Sequence, residues 1–301
     1  MACLCGDLGG LTIRRKDRYG IQFSYKLCIR CGHVRTSNPL TYESERRFYS
    51  SSDYRTLYFP GEEPLQVLKR KTPQRNEKSA LLRYVEGLQP QPGTILEWGC
   101  GGGWNLVPFR DAGWKTMGYD YDATYLALGR EHLGLDLNEL DALGGNVIVD
   151  FCPNVILLNH VLEHASDPIS QLVRLGRLAG PSTLIVVGVP LLETLKHWHW
   201  RDFFHVAHVH YFSARSLRAA AESAGLRVVD ERVPDGLFAL QVGDSARKTS
   251  GRNFQGVVTS GLFLLSGWID PKFRLRSLVR INLKAIGVLQ VARRVRDRLK
   301  Q

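Results

Sequence analysis

The sequence lacks any apolar run long enough to cross a bilayer. The longest run in its C-terminal half, GVVTSGLFLLSGWI from Gly256 to Ile269, has 14 residues. A spanning helix needs roughly 20, so the run reads as a core or interfacial segment. No basic-then-apolar leader is present: the chain opens MACLCGDLGG. Nothing there marks it for secretion, and a cytoplasmic, reducing setting is expected. Internal repeats and low-complexity tracts are also missing. Acidic residues are scarce at one end. The formal net charge is +11, but after residue 270 ten Lys and Arg face a single acid, Asp297, so that tail holds +9. The rest is nearly neutral, and any electrostatic footprint for RNA or anionic lipid belongs to the tail. From Leu275 to Leu299 apolar residues approximate one helical stripe among these bases. Such a helix lies on a membrane surface, binds a partner, or docks on its own domain.

At 301 residues and 44% hydrophobic, the chain can bury one substantial core plus a small satellite module. Four of its six cysteines, Cys3, Cys5, Cys28 and Cys31, fall near the start. In a reducing compartment, C-x-C and C-x-x-C pairs in that order read as a four-thiolate structural zinc site. The segment CIRCGH has the usual knuckle spacing. The segment CLCG is one residue short of it, which leaves His33 as an alternative fourth ligand and four free thiols as the metal-free reading.

After this module, TYESERRFYSSSDYRTLYFPGEEPL reads as a polar, aromatic connecting segment that packs its rings on a neighbour. From there strand and helix patterns alternate: TILEW at 94–98, a helix from about Trp104, KTMGYD at 115–120, a helix at 123–133, NVILLN at 154–159, a helix at 167–179, and TLIVVGVP at 183–190. This alternation predicts right-handed crossovers and a mostly parallel sheet covered on both faces. A helix at 213–225 and a hairpin, LRVVDERV then GLFALQV, close it with an antiparallel edge. The fold class is α/β, Rossmann-like and doubly wound, with seven strands, a zinc-ribbon-like N-terminal module and a basic helical C-terminal tail. The expected boundaries are 1–50 for the zinc module, 51–74 for the connector, 75–245 for the catalytic domain and 246–301 for the tail.

The segment ILEWGCGGGWNLV sits where an open parallel sheet binds its ligand, between a strand and a helix. A dinucleotide fingerprint counted from Gly99 and Gly101 meets Trp104 where it needs a third glycine. The G-K-[ST] of a P-loop is absent. What fits is Glu97, Gly99, Gly101 and Gly103, an acid-x-Gly-x-Gly-x-Gly pattern. It resembles motif I of the class I S-adenosylmethionine-dependent methyltransferases. The resemblance extends to GYDYD at the second strand, to LNHVLEHASDP at the fourth and to GVP at the fifth. It implies S-adenosylmethionine as cofactor, with the glycines opening a path for its methionine and adenosine. Asp120 is implied to accept the ribose hydroxyls, Glu97 to act one step behind the loop, and Asn159 and His160 to add contacts after the fourth strand.

Methyl transfer needs a positioned nucleophile and a group that removes its proton. The stretch HWHWRDFFHVAHVHYFS, residues 197–213, holds five of the nine histidines. With the cysteine module in front, this arrangement resembles the sugar C-methyltransferases and their relatives in polysaccharide and antibiotic-sugar clusters. In that family a His-Glu-His group before Y-F-S supplies the base. Aligned on Tyr211, Phe212 and Ser213, the second histidine matches His208, while Val206 and Ala207 stand at the other two positions. His208 or His210 is therefore the candidate base, and carbon and oxygen methylation both stay open. If this stretch were a strand, His208 and His210 would share a face. The expected function is methyl transfer to a small molecule, a sugar or glycan intermediate. The alternative is an RNA-directed methyltransferase that grips through the zinc module and tail.

Overall fold

The computed structural model describes residues 3–6, 9–37, 41–73, 79–140, 151–197 and 203–243. The basic tail at 246–301, the apolar run at 256–269 and His199 lie outside the described residues.

Two sheets organise the chain. The larger is built on β4 (Thr94–Trp98), flanked on one side by β5 (Lys115–Asp120) and β6 (Asp136–Glu139), and on the other by β7 (Val155–Asn159) and β8 (Leu184–Gly188), all paired in parallel. A hairpin, β10 (Leu226–Arg232) and β11 (Leu237–Val242), adds β11 antiparallel to β8. The result is a mixed sheet of seven strands in the order β10-β11-β8-β7-β4-β5-β6, with the antiparallel edge that the sequence predicts. Strand order reverses beside β4, where an open α/β sheet places its ligand crevice.

Period-two alternation splits the core into two layers. Leu96, Ile156, Leu158, Ile185, Val187 and Phe238 face one way, packing on helices α7 (Pro168–Leu178) and α8 (Ala214–Ser223). Ile95, Val155, Leu157, Val186 and Ala239 face the other, against α4 (Ala80–Leu88), α5 (Val107–Asp111) and α6 (Ala123–Leu133). The helix expected from Trp104 begins only at Val107. Gly101 and Gly103 take φ of 54° and 78°, a left-handed backbone that cannot continue into a helix, and turns fill the interval.

The smaller sheet joins β1 (Leu11–Lys16), β2 (Gln22–Leu27) and β3 (Val34–Thr36) to β9 (His210–Tyr211). Val34 pairs with Tyr211 and Arg35 with His210. The N-terminal module therefore takes its fourth strand from the histidine-rich stretch, and shares an aromatic core with it through Tyr25, Phe203, Phe204 and Tyr211. The 51–74 segment is largely helical. Helices α1 (Tyr42–Ser50), α2 (Ser52–Tyr58) and α3 (Pro64–Lys71) run from Tyr42 to Lys71. Two polar ties hold them on the core: Arg55 pairs with Asp122 at 2.5 Å, and the Ser166 N–H donates to Glu45 at 2.7 Å. Among the described residues no helix is long and apolar enough to cross a membrane.

Candidate functional site

The glycine loop lies at the C-terminal end of β4, as its sequence position predicts. Each glycine answers a steric demand as well as a backbone one. A Cβ on Gly99 would stand 2.5 Å from Val161, one on Gly101 2.7 Å from the Trp104 ring, and one on Gly103 2.6 Å from Leu135. The Asp120 carboxylate closes the loop from β5 by accepting the N–H of Gly101 at 2.7 Å and of Asp122 at 2.9 Å. Burial raises its pKa above the usual carboxylate value, while these two N–H groups pull the other way. Glu97 points into the core and is fully buried. Burial lifts its carboxyl to about 8 against the pull of the Asn105 amide, which donates to Oε1 at 2.7 Å. It braces Asn105 from behind.

Two cavities open from this loop. The smaller, about 310 Å³, is walled by Gly99, Asp120, Tyr121, Leu140, Val161 and the α1 and α2 tyrosines. The larger, about 560 Å³, shares Gly99, Asp120, His160 and His164, and adds Gly101, Asn105, Asn159, Glu163 and His208. The donor set suits S-adenosylmethionine: free backbone approach at the glycines, a carboxylate at the strand end, and no lysine-threonine phosphate cradle. Gly103 turns beneath the loop against Leu135 and Leu137 instead of lining either cavity. His160 follows β7 with φ 56°, the one positive φ of a non-glycine among the described residues.

The larger cavity also gathers residues to which their sequence assigns no chemistry. Glu163 and His164, in the turn after β7, meet His208 from the stretch after β8. Backbone bonds make the meeting: the N–H groups of Val209 and His210 both donate to the Glu163 carbonyl, at 2.9 and 3.0 Å, and His164 Nδ1 lies 2.8 Å from the Ala207 carbonyl. The His164 and His208 rings stand edge to face at 4.8 Å. Burial holds His208 down at about 3 and also lowers His164, so both are neutral imidazoles at neutral pH. Burial pushes Glu163 up, but the surrounding histidines outweigh it and hold the carboxyl at about 2. His160 Nδ1 lies 3.3 Å from Glu163 Oε1, and this contact raises the His160 pKa.

His210 does not join this group. In β9 its ring stacks on His33, with Nδ1 2.9 Å from His33 Nε2, and burial lowers its pKa to about 4. His208 sits in a turn before the strand, so the two side chains do not share a face. The Y-F-S segment is structural: Tyr211 closes onto the His205 backbone, Phe212 is core, and the Ser213 side chain caps α8. Behind His208, Tyr58 and Tyr49 from α2 and α1 pack on His205 and His164 at 4.9 and 5.7 Å. The aromatic spacing of 41–65 signalled packing but not a cavity wall. Lys71 and Arg18 line the same cavity.

At the N-terminus the four sulfurs of Cys3, Cys5, Cys28 and Cys31 lie within 4.8 Å of one another, with Cys3 to Cys31 at 3.4 Å and Cys5 to Cys28 at 3.6 Å. A tetrahedral zinc with Zn–S bonds near 2.3 Å requires sulfurs about 3.8 Å apart, so the set fits the ion. Both halves form knuckle turns. The N–H of Gly6 reaches Cys3 O at 2.7 Å, and that of Gly32 reaches Cys28 O at 2.9 Å, each glycine at positive φ. The short C-x-C half closes as well as the long one. His33 is turned away, with Nδ1 3.3 Å from Ser216 and Nε2 on His210.

No curated protein sequence matches the chain. Solved structures similar to it include the 1,6-didemethyltoxoflavin-N1-methyltransferase of Burkholderia thailandensis, 17% identical, covering 73% of this chain and 93% of that one, with a TM-score of 0.45. The glycopeptide N-methyltransferase MtfA is 13% identical over 53% of this chain and 91% of its own, with a TM-score of 0.44. The amino pentose methyltransferase CalS10 of Micromonospora echinaspora is 13% identical over 63% and 96%, with a TM-score of 0.42. The methyltransferase domain model matches residues 70–231, more than half of the 301-residue chain. The chain belongs to the methyltransferase domain family, and is a class I S-adenosylmethionine-dependent methyltransferase.

Proposed function

We propose that the enzyme methylates a hydroxyl of a small polyhydroxylated acceptor, a sugar or glycan intermediate. The observation that carries this reading is the buried Glu163–His164–His208 group on the wall of the cavity that also holds Gly99, Gly101 and Asp120. S-adenosylmethionine supplies an electrophilic methyl carbon at this wall. Asp120 accepts the ribose hydroxyls as a bidentate carboxylate. Gly99 and Gly101 keep side chains out of the cofactor path, Gly103 lets the loop turn beneath it against Leu135, and Glu97 holds the loop through Asn105. Asn159 and His160, lining the cavity at the end of β7, would help hold the cofactor. His208 is the catalytic residue: it faces the acceptor, and Glu163 and His164 stand where Val206 and Ala207 leave the His-Glu-His pattern unfilled. His210 supports the wall through His33. Arg18 and Lys71 favour an acceptor that carries a phosphate, as a nucleotide-linked sugar does.

Cys3, Cys5, Cys28 and Cys31 hold a structural zinc with a full shell, which leaves it no open position for catalysis. The test is transfer of labelled methyl from S-adenosylmethionine to a panel of nucleotide sugars and lipid-linked glycans. Label on a sugar oxygen supports the proposal. Label on RNA alone, or on a sugar carbon, defeats it.

A further inference from the structure

We infer that Glu163, His164 and His208 bind a divalent first-row transition-metal ion whose open positions take two neighbouring oxygens of the acceptor; the acceptor half of this statement rests on the function proposed above. One ligand atom from each residue lies within 4.8 Å of the other two. Two polar atoms of this group are buried and have no hydrogen-bond partner, Oε2 of Glu163 and Nδ1 of His208. The Glu163 side chain is only 1% exposed, so water does not compensate it from outside.

The third residue is fixed by its tautomer. His164 Nδ1 lies 2.8 Å from the Ala207 carbonyl, which can only accept, so Nδ1 carries the hydrogen. In the neutral ring Nε2 then presents a lone pair, and it lies 3.8 Å from Glu163 Oε1. Nε2 of His164 therefore converges with a carboxylate oxygen of Glu163 and a ring nitrogen of His208, and no hydrogen bond satisfies Glu163 Oε2 or His208 Nδ1. Burial makes such an arrangement costly unless a cation sits among them. A histidine that gives its other ring N–H to a backbone carbonyl is also the usual way a metal-binding imidazole is oriented. His160 Nδ1 and His164 Nε2 both approach Oε1, at 3.3 and 3.8 Å, while Oε2 has no hydrogen-bond partner.

Two imidazoles and one carboxylate suit manganese through zinc better than calcium or magnesium. Three protein ligands leave positions facing the cavity. Bonds near 2.1 Å hold ligand atoms at most about 4.2 Å apart, so the group closes slightly around the ion. Two adjacent acceptor oxygens, as in a vicinal diol, complete the shell.

The experiment is titration of the full-length protein with Mn2+, followed by the loss of the free-ion electron paramagnetic resonance signal. A four-thiolate site discriminates against this hard ion, so the N-terminal cysteines do not compete for it. Saturable binding of one Mn2+ per chain is expected, weakened at least about tenfold in Glu163→Gln and in His208→Ala. Calorimetry should find S-adenosylmethionine affinity unchanged in both variants, which shows that they fold. A wild-type protein that binds S-adenosylmethionine but takes up no Mn2+ overturns the inference. Equal Mn2+ binding in wild type and both variants overturns it too. Mn2+ bound as expected with no polyol methylated upholds the ion site and sinks the acceptor class.

Discussion

The two sides of the larger cavity are built in opposite ways. On the side proposed to take the cofactor, Glu97, Gly99, Gly101, Gly103 and Asp120 all come from one β4–α5–β5 passage, and short backbone bonds assemble them. The opposite wall draws Arg18 from the turn after β1, Tyr58 from α2, Glu163 and His164 from the turn after β7, and His205 and His208 from the stretch before β9. A local site is written in spacing. A non-local one depends on which distant segments pack together, and here the backbone bonds from Val209 and His210 to Glu163 make that choice.

The comparison breaks first at His208. His208→Ala should cut kcat by about 10²-fold or more, the cost of losing a group that positions the acceptor, while calorimetry finds cofactor affinity unchanged. A parallel loss of affinity would mean that the halves are not separable. The donor half should fail in the complementary way. Gly101→Val forces a branched residue into φ 54° and against Trp104, and should weaken S-adenosylmethionine binding roughly 100-fold. Asp120→Ala should weaken it about tenfold or more, as measured by the same calorimetry.

His210→Ala sharpens the contrast, because it lies two residues from His208 and outside the cavity. It should lower stability by about 1–3 kcal/mol through the lost His33 bond, seen as an earlier thermal transition, with the rate of the folded enzyme within about threefold of wild type. Equal kcat losses in the two histidine variants would refute the assignment. Cys5→Ser should leave less than one zinc per chain by metal analysis, and lower Tm by several degrees.

The smallest effect is expected at Glu97. Its folded pKa, about 8, lies above its ordinary value of 4.5. Its contribution to stability is therefore full below pH 4.5, and is lost as the pH rises through 8. Glu97→Gln keeps an acceptor for Asn105 without titrating. Its Tm relative to wild type should rise by a few degrees between pH 5 and pH 9. A constant difference across that range would show that the carboxyl is not held neutral.

Legibility followed the same division. The apolar strands 94–98, 154–159 and 183–190, the helices at 123–133 and 167–179, and the edge hairpin are recognisable because buried parallel strands and capped helices advertise themselves locally. Strand β6, DLNE, is too polar and short to stand out, and only its pairing with β5 makes it a strand. Glu163 and His164 lay in plain view within VLEH, yet a polar pair at a turn carries no sign of what will face it. The 41–71 helices read as a connector because their tyrosines have no single-face period. Their function as a wall appears only when His164 and His205 pack against them.

The doubly wound alternation, the glycine loop after β4 and the two cysteine pairs were legible in the chain, because each rests on residues close in sequence whose backbone demands are local. That His208 and not His210 faces the cavity, that Glu163 and His164 join it, and that β9 completes the N-terminal sheet was settled by packing in three dimensions. Those outcomes depend on burial and pairing between segments far apart in sequence, where the free energy of a side chain is set by its neighbours in space.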